Sequence, residues 1–306
     1  MKKISVIFIL FFLTFIVNAQ KKEDFLQDED SLKVLANLIL SGKDDFVKYN
    51  ANARFVLLME NSLLKENSID YPYDSLKSIK ILCAPDKKVR LVNWVIVKKD
   101  GTFEYFAFLQ LYNKQKKGYD IISLQDKSDE IQFPDIQICD HNKWYGALYY
   151  KIIQNKYAGK KYYTLLGWDG NDLISNKKII EVLTVGAKNK PVFGAQIFSG
   201  IGKKNSKRIF FEYSESTTLA LRYENQFMSK GKNRKNMIVF DHLSPLDKSM
   251  EGNMQYYVPD TNIQDAFYFK NGKWHYIKDI DARNPKEKKH KIRNRTEHNH
   301  QLDNSH

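Results

Sequence analysis

Asp241, His242 and Ser244 stand within the run Ile238–Pro245. They bring together an acid, a base and a hydroxyl, the ingredients of hydrolytic catalysis. Their spacing works against a local dyad, because consecutive residues in a strand point to opposite faces. His242 therefore needs a carboxylate from elsewhere, such as Glu212 or Asp260. Glu212 alternates to the face opposite Ile209, Phe211 and Tyr213, and an ion pair with Arg222 across the following hairpin is its plainer role. No G-x-S-x-G elbow, H-E-x-x-H helix or glycine-rich phosphate loop is present. Catalysis through His242, with Asp241 and Glu212 as further candidates, stands as an alternative to a strand-end polar cluster.

A second constellation is Leu165–Asp172. Asp169, Asn171 and Asp172 are oxygen donors suited to a hard cation. They lack the glycine and the terminal glutamate of a calcium-binding EF-hand loop, and a hairpin turn in which Asp and Asn side chains bond backbone amides explains them more simply. No metal or cofactor is expected. The same region is rich in rings: Trp144, Tyr145, Tyr149, Tyr150, Tyr157, Tyr162, Tyr163 and Trp168. Rings left exposed on a sheet would stack on sugars or on an apolar partner, whereas alternation sends about half of them into a core. Trp144, Tyr145, Trp168, Asp169, Asn171 and Asp172 form the candidate ligand-binding set.

Two cysteines occur, Cys83 and Cys139. In an oxidising compartment such a pair is able to bridge, and the other expectation is two buried free thiols. Neither has the neighbours of a metal site. His298 and His300 sit in a charged C-terminal run where they read as incidental.

The elements that must position these residues are mostly strands. Helical spacing is confined to the first part of the chain, where Ser31 is placed to cap a helix with Leu32, Leu35, Ala36, Leu38 and Ile39 on its apolar face and Gly42 at its end. A second helix starts at Asp44 or Asp45 and carries Phe46, Tyr49, Ala53, Val56, Leu57, Leu63 and Leu64 towards the turn at Pro72. From Ile79 the period falls to two, and β-branched and aromatic residues dominate. Strands are expected at 89–97, 103–112, 144–154, 161–168, 179–185, 209–213, 218–223, 237–241, 266–270 and 273–277. Asp100-Gly101, Asp169-Gly170 and Asn271-Gly272 supply hairpin chemistry, with Gly159 as a fourth site. The fold class is mainly β, antiparallel sheets in a sandwich or propeller-like arrangement, with an N-terminal helical segment. The hairpin signals do not recur at a blade length, so a propeller is the minority reading.

The ends of the chain bear on compartment. Lys2 and Lys3, the apolar run 4–17 and Val17-Asn18-Ala19 have the order of an export signal cleaved after Ala19. The run falls short of the roughly 20 residues that span a bilayer, so no transmembrane segment is expected after cleavage. The organisation is then a signal at 1–19, helices over 20–78, a β domain over 79–285, and a basic, disordered tail over 286–306. The net charge of +13 invites a polyanion, with the densest clusters at Lys203–Arg208 and Lys230–Lys235. Export argues against nucleic acid and leaves an anionic envelope glycolipid or polysaccharide as the more plausible polyanion.

Four phrases carry a resemblance: Trp144–Tyr150, Tyr163–Asn171, Ile238–Leu243 and Asp279–Asn284. Over most of the body the chain resembles a family of uncharacterised exported proteins of Bacteroidota. The resemblance implies an envelope location, in the periplasm or outside the cell, and no activity. The tail after Pro285 departs from that pattern. The expected function is a non-enzymatic binding or structural module with an envelope glycan or protein as partner; a hydrolase using His242 and a polyanion binder are the alternatives.

Overall fold

A computed structural model of the chain describes residues 23–202, 205–227 and 234–280. The segment expected to be an export signal, the C-terminal tail with its histidines, and residues 203–204 and 230–233 of the two lysine clusters lie outside the described residues. The protein is mainly β. Two helices come first, α1 over 23–41 and α2 over Asp45–Leu64. Three antiparallel sheets follow in chain order. Sheet I is a meander of β1 (Lys80–Cys83), β2 (Val89–Val97), β3 (Phe103–Asn113) and β4 (Gly118–Leu124). Sheet II orders β10 (Arg208–Ser214), β7 (Ser175–Val185), β6 (Lys160–Asp169) and β5 (Leu148–Tyr157), with β8 (Pro191–Phe193) also on β7. Sheet III orders β11 (Leu221–Phe227), β12 (Arg234–Pro245), β13 (Tyr257–Lys270), β14 (Lys273–Ile277) and the short parallel strand β9 (Phe198–Ser199).

The layers stack in order: helices, sheet I, sheet II, sheet III. On β2, Val92, Trp94 and Ile96 join the helices in one core, while Val89 and Leu91 face Leu165, Ile179 and Leu183 of sheet II in the next. Leu166, Ile180 and Val182, on the reverse face of sheet II, meet Ile238, Phe240, Phe267 and Trp274 of sheet III. Strands covered on both faces need apolar residues at most positions, which is why Val89–Val97 and Ile179–Val185 are mostly apolar, with Arg90, Asn93, Glu181 and Thr184 as their buried polar exceptions.

Polar ties cross each interface. Trp94 Nε1 donates to Asn52 of α2 at 2.7 Å. Asn93 donates to the Tyr149 carbonyl at 3.2 Å and accepts from its amide at 2.7 Å, filling the ladder where β5 shifts register between Tyr149 and Lys151. Trp274 Nε1 donates to Thr164 at 3.0 Å. Sheet II holds a wholly buried ion pair between its outermost strand β10 and β7, where Arg208 and Glu181 stand directly opposite one another. The Tyr149 hydroxyl donates to the same carboxylate, and Arg208 also donates to the carbonyls of Pro134 and Gln137, fixing the loop that precedes Cys139. Burial works against the Arg208 charge, but the Glu181 carboxylate overrides it and raises the guanidinium pKa.

Several sequence expectations are corrected. Ser31 lies inside α1 and donates to the Gln27 carbonyl instead of capping; the helix begins earlier because Phe25 and Glu29 also find places, Phe25 against Tyr71 and Glu29 as acceptor from Tyr71 and the Ser75 amide. Asp44 does cap α2, accepting from the Val47 amide at 2.9 Å. That helix stops at Leu64 and buries Ala51, Phe55, Met59 and Leu63, so Phe46, Leu57 and Leu64 face outwards. The strand expected from Trp144 starts at Leu148, because Trp144 pairs with Asp126 in an isolated bridge. The turns at Asp100-Gly101, Ala158-Gly159 and Asn271-Gly272 are present, with positive φ at each glycine. Asp169-Gly170 opens a longer connection instead, where Gly170 lies so close to the Phe103 ring that a Cβ would clash at 2.2 Å. Cys83 and Cys139 are free thiols, Cys83 exposed at the edge of sheet I and Cys139 buried beside Phe193, so no bridge joins them.

Removing one partner of a buried ion pair leaves an uncompensated charge and costs about 3–5 kcal/mol. Glu181→Gln and Arg208→Met should each lower unfolding free energy by about that much, and the double variant Glu181→Leu/Arg208→Met by far less than their sum, as read from denaturant midpoints at constant m-value.

Candidate functional site

The sequence candidates separate into two clusters. Asp169, Asn171, Asp172 and Glu212 gather where β6 turns into β7. Asp169 is buried and accepts the hydroxyls of Tyr145 at 2.6 Å and Tyr105 at 3.1 Å, and the Asn171 amide at 2.9 Å. Burial, then the Asp169 charge, pushes both tyrosine hydroxyls far above their usual pKa. Asp172 accepts the amides of Ile174 and Ser175, and Ser175 Oγ donates to Glu212 at 2.9 Å. Lys177 donates to Asn171, so an ammonium occupies the place a cation would take. No cluster of His, Cys, Asp and Glu among the described residues could hold a metal ion. The expected Glu212–Arg222 pair is absent: β10 pairs with β7, placing Lys177 opposite Glu212, while Arg222 reaches Glu224 and Gln264.

The second cluster surrounds His242. Its Nδ1 lies 2.7 Å from the carboxylate of Asp265, not of Glu212 or Asp260. The strand register breaks at Asp241/His242; His242 stands opposite Asp260, yet the ring reaches diagonally to Asp265, the partner of Phe240. Asp265 is buried and also accepts the Tyr276 hydroxyl at 2.7 Å and the Asp279 amide at 2.9 Å. Asp241 points elsewhere, accepting from the Ala220 amide and Gln264. The arrangement ties residue 279 to sheet III, and His242 lines neither of the two large clefts.

Of the ring candidates, Trp144 is fully buried and Tyr145 nearly so, and both belong to the core between sheets I and II. Trp168 is half-buried, edge-on to Phe103 at 5.3 Å. They form no stacking platform.

Two clefts open at the seam between sheets I and II. The first, about 600 Å³, includes Glu104, Asp126, Tyr145, Asp169 and Lys177 in its lining. Among its acids, Asp129 is exposed, Glu130 pairs with Lys127 and Glu104 accepts from Tyr49, while Asp126 accepts the amides of Tyr105, Ser128 and Gly146. Gly146 permits this, since a Cβ there would meet the Asp126 carboxylate at 2.4 Å.

The second cleft, about 620 Å³, lies at the other end of the seam and is lined by five lysines, Lys88, Lys114, Lys160, Lys161 and Lys188, with no acidic residue among its lining. Four separate segments supply them: the start of β2, the β3–β4 turn, the start of β6 and the turn after β7. Lys161 is paired with Asp86, which also accepts from the Tyr163 hydroxyl and the Gln154 side chain. Lys88 and Lys160 lie over the rings of Tyr112 and Tyr162, and Lys114 and Lys188 are exposed. Comparison with known protein families, curated proteins and solved structures finds no match.

Spacing had drawn attention to other lysine clusters. Of their described members, Lys207 donates to the Ile136 carbonyl, Arg208 is buried on Glu181, and the exposed Lys235 lies over the Tyr268 ring.

Burial alone would raise the Asp86 carboxyl, but the Lys161 ammonium, the Lys88 amide and the Tyr163 hydroxyl together hold it below its ordinary value. A depressed folded pKa stabilises fully above the unfolded value, about 3.9, and the contribution is lost as pH falls through the folded value. Asp86→Asn should therefore be destabilised at pH 6, and its gap in denaturation midpoint from the wild type should close as pH is lowered from about 4.

Proposed function

We propose that this protein is an exported, non-enzymatic binding module of the bacterial envelope, and that the lysine cleft between sheets I and II is its ligand seat, taking an anionic ligand. The observation that carries this reading is the convergence of five lysines from four segments on one concave surface without an acidic residue in its lining. Like charges gathered in a cleft raise the local potential and attract ligands of opposite sign. A volume of about 620 Å³ falls within the usual span of ligand sites. The basic net charge and the N-terminal sequence are consistent with a partner in the envelope.

The contact of His242 Nδ1 with the Asp265 carboxylate has the form of a base and its orienting acid. Its substrate would have to be met at a site other than the two large clefts, so the binding reading is preferred to the hydrolase.

Titration of isotopically labelled protein with pyrophosphate should move backbone amide resonances of residues 112–115, 158–161 and 188–189. Lys114→Glu/Lys188→Glu should abolish the movement while leaving the thermal transition in place. Shifts dispersed over the whole surface, or unchanged in the variant, would refute this seat.

A further inference from the structure

Resting on the binding reading, we infer that the ligand of the lysine cleft is an acidic polysaccharide chain, held through several of its negative charges by both walls at once. The cations are divided between the walls. Lys88 and Lys114 project from sheet I, and Lys160 and Lys188 from the hairpin and turn of sheet II. Lys161, already neutralised by Asp86, contributes least. A single small anion is usually held by convergent, preorganised donors, such as backbone amides at a nest or an arginine fork. Here the charges are ammonium groups on long stems, spread around a space of about 620 Å³. That distribution matches charges repeated along a ligand.

The rings of the cleft discriminate between polyanions. Tyr163 is only 2% exposed, with its hydroxyl on Asp86. Tyr112 has Lys88 Nζ over its face, 5.5 Å from the ring centroid, and Tyr119 packed at 5.5 Å with planes 70° apart. Single-stranded nucleic acid is gripped by stacking its bases on open aromatic faces, and neutral sugars likewise need a ring to lie on. Tyr163 offers no free face and Lys88 covers one face of Tyr112, so recognition falls mainly to charge. The Ala158-Gly159 turn at the lip leaves room, since a Cβ on Gly159 would meet no atom within 4 Å. A chain has space to continue past it.

The test is calorimetric titration of the intact protein with galacturonate, a galacturonate hexamer, neutral dextran and a thymidylate oligonucleotide of the hexamer's charge. The hexamer should bind roughly tenfold or more tighter than the monomer, through multiple engagement. Its affinity should fall with salt, and the slope should drop by about one for each of Lys114→Gln and Lys188→Gln, which come from opposite walls. Dextran should not bind. Equal affinity for monomer and hexamer would overturn the chain inference while leaving an anion seat in place. Tighter binding of the oligonucleotide would assign the cleft to nucleic acid and overturn it as well. If neither galacturonate ligand binds and pyrophosphate also leaves the resonances of the cleft unmoved, the binding reading itself fails.

Discussion

Glu181 and Arg208 form an ion pair with neither side chain exposed, joining the outermost strand β10 to β7 in the second of the three sheets. Two charges at such a depth are tolerable only if each is matched and the remaining polar atoms are engaged. Tyr149 and the carbonyls of Pro134 and Gln137 meet much of that demand. In doing so they fix β10 against β7, the aromatic strand β5 against both, and the loop leading to Cys139 against the edge of sheet II. The other layers pack on either side of this sheet through close-packed apolar interfaces crossed by a few polar contacts. Asn93 is the most telling of these contacts, because it stands in for a strand partner where the β5 ladder slips.

Much of the fold was legible because the strands are long and rich in branched and aromatic residues. Val89–Val97 and Lys273–Ile277 are found with the bounds their sequence suggests. β4, Gly118–Leu124, escaped notice: it edges sheet I, its residues are mostly half-buried, and Gly-Tyr-Asp at its start carries no clear period. Alternation was a poor guide to which face matters in sheets covered on both sides, and so Trp144 and Tyr145 were candidates for a surface they do not occupy. On α2, apolar residues occur all round the helix, and the sequence could not tell Phe55 and Met59, which face inwards, from Phe46 and Leu57, which face solvent.

The candidate site was less legible than the fold. His242 was singled out correctly as needing a distant acid, but only the broken register of β12 against β13 selects Asp265. The lysine cleft has no local signature whatever. Its five lysines lie in segments separated by long stretches of chain and are no denser locally than elsewhere in this basic sequence. What distinguishes them is the exclusion of carboxylates from the surface they share, with Asp86 and Asp120 engaged behind it. That is a property of the folded surface.

The short strand β9 precedes β10 in the chain, yet belongs to sheet III, where it pairs with β14, the last strand described. A chain made from its N-terminus can complete the helices and sheet I early, since their contacts are local. Sheet II has all its strands by residue 214, but the segment between β8 and β10 waits for a partner in sheet III made some 75 residues later. The Ile197 carbonyl accepts the Trp274 amide, so the core residue that closes the interface arrives with the same strand. Closure of sheet III is therefore a late event, and β9 stays without its strand partner until β14 is made.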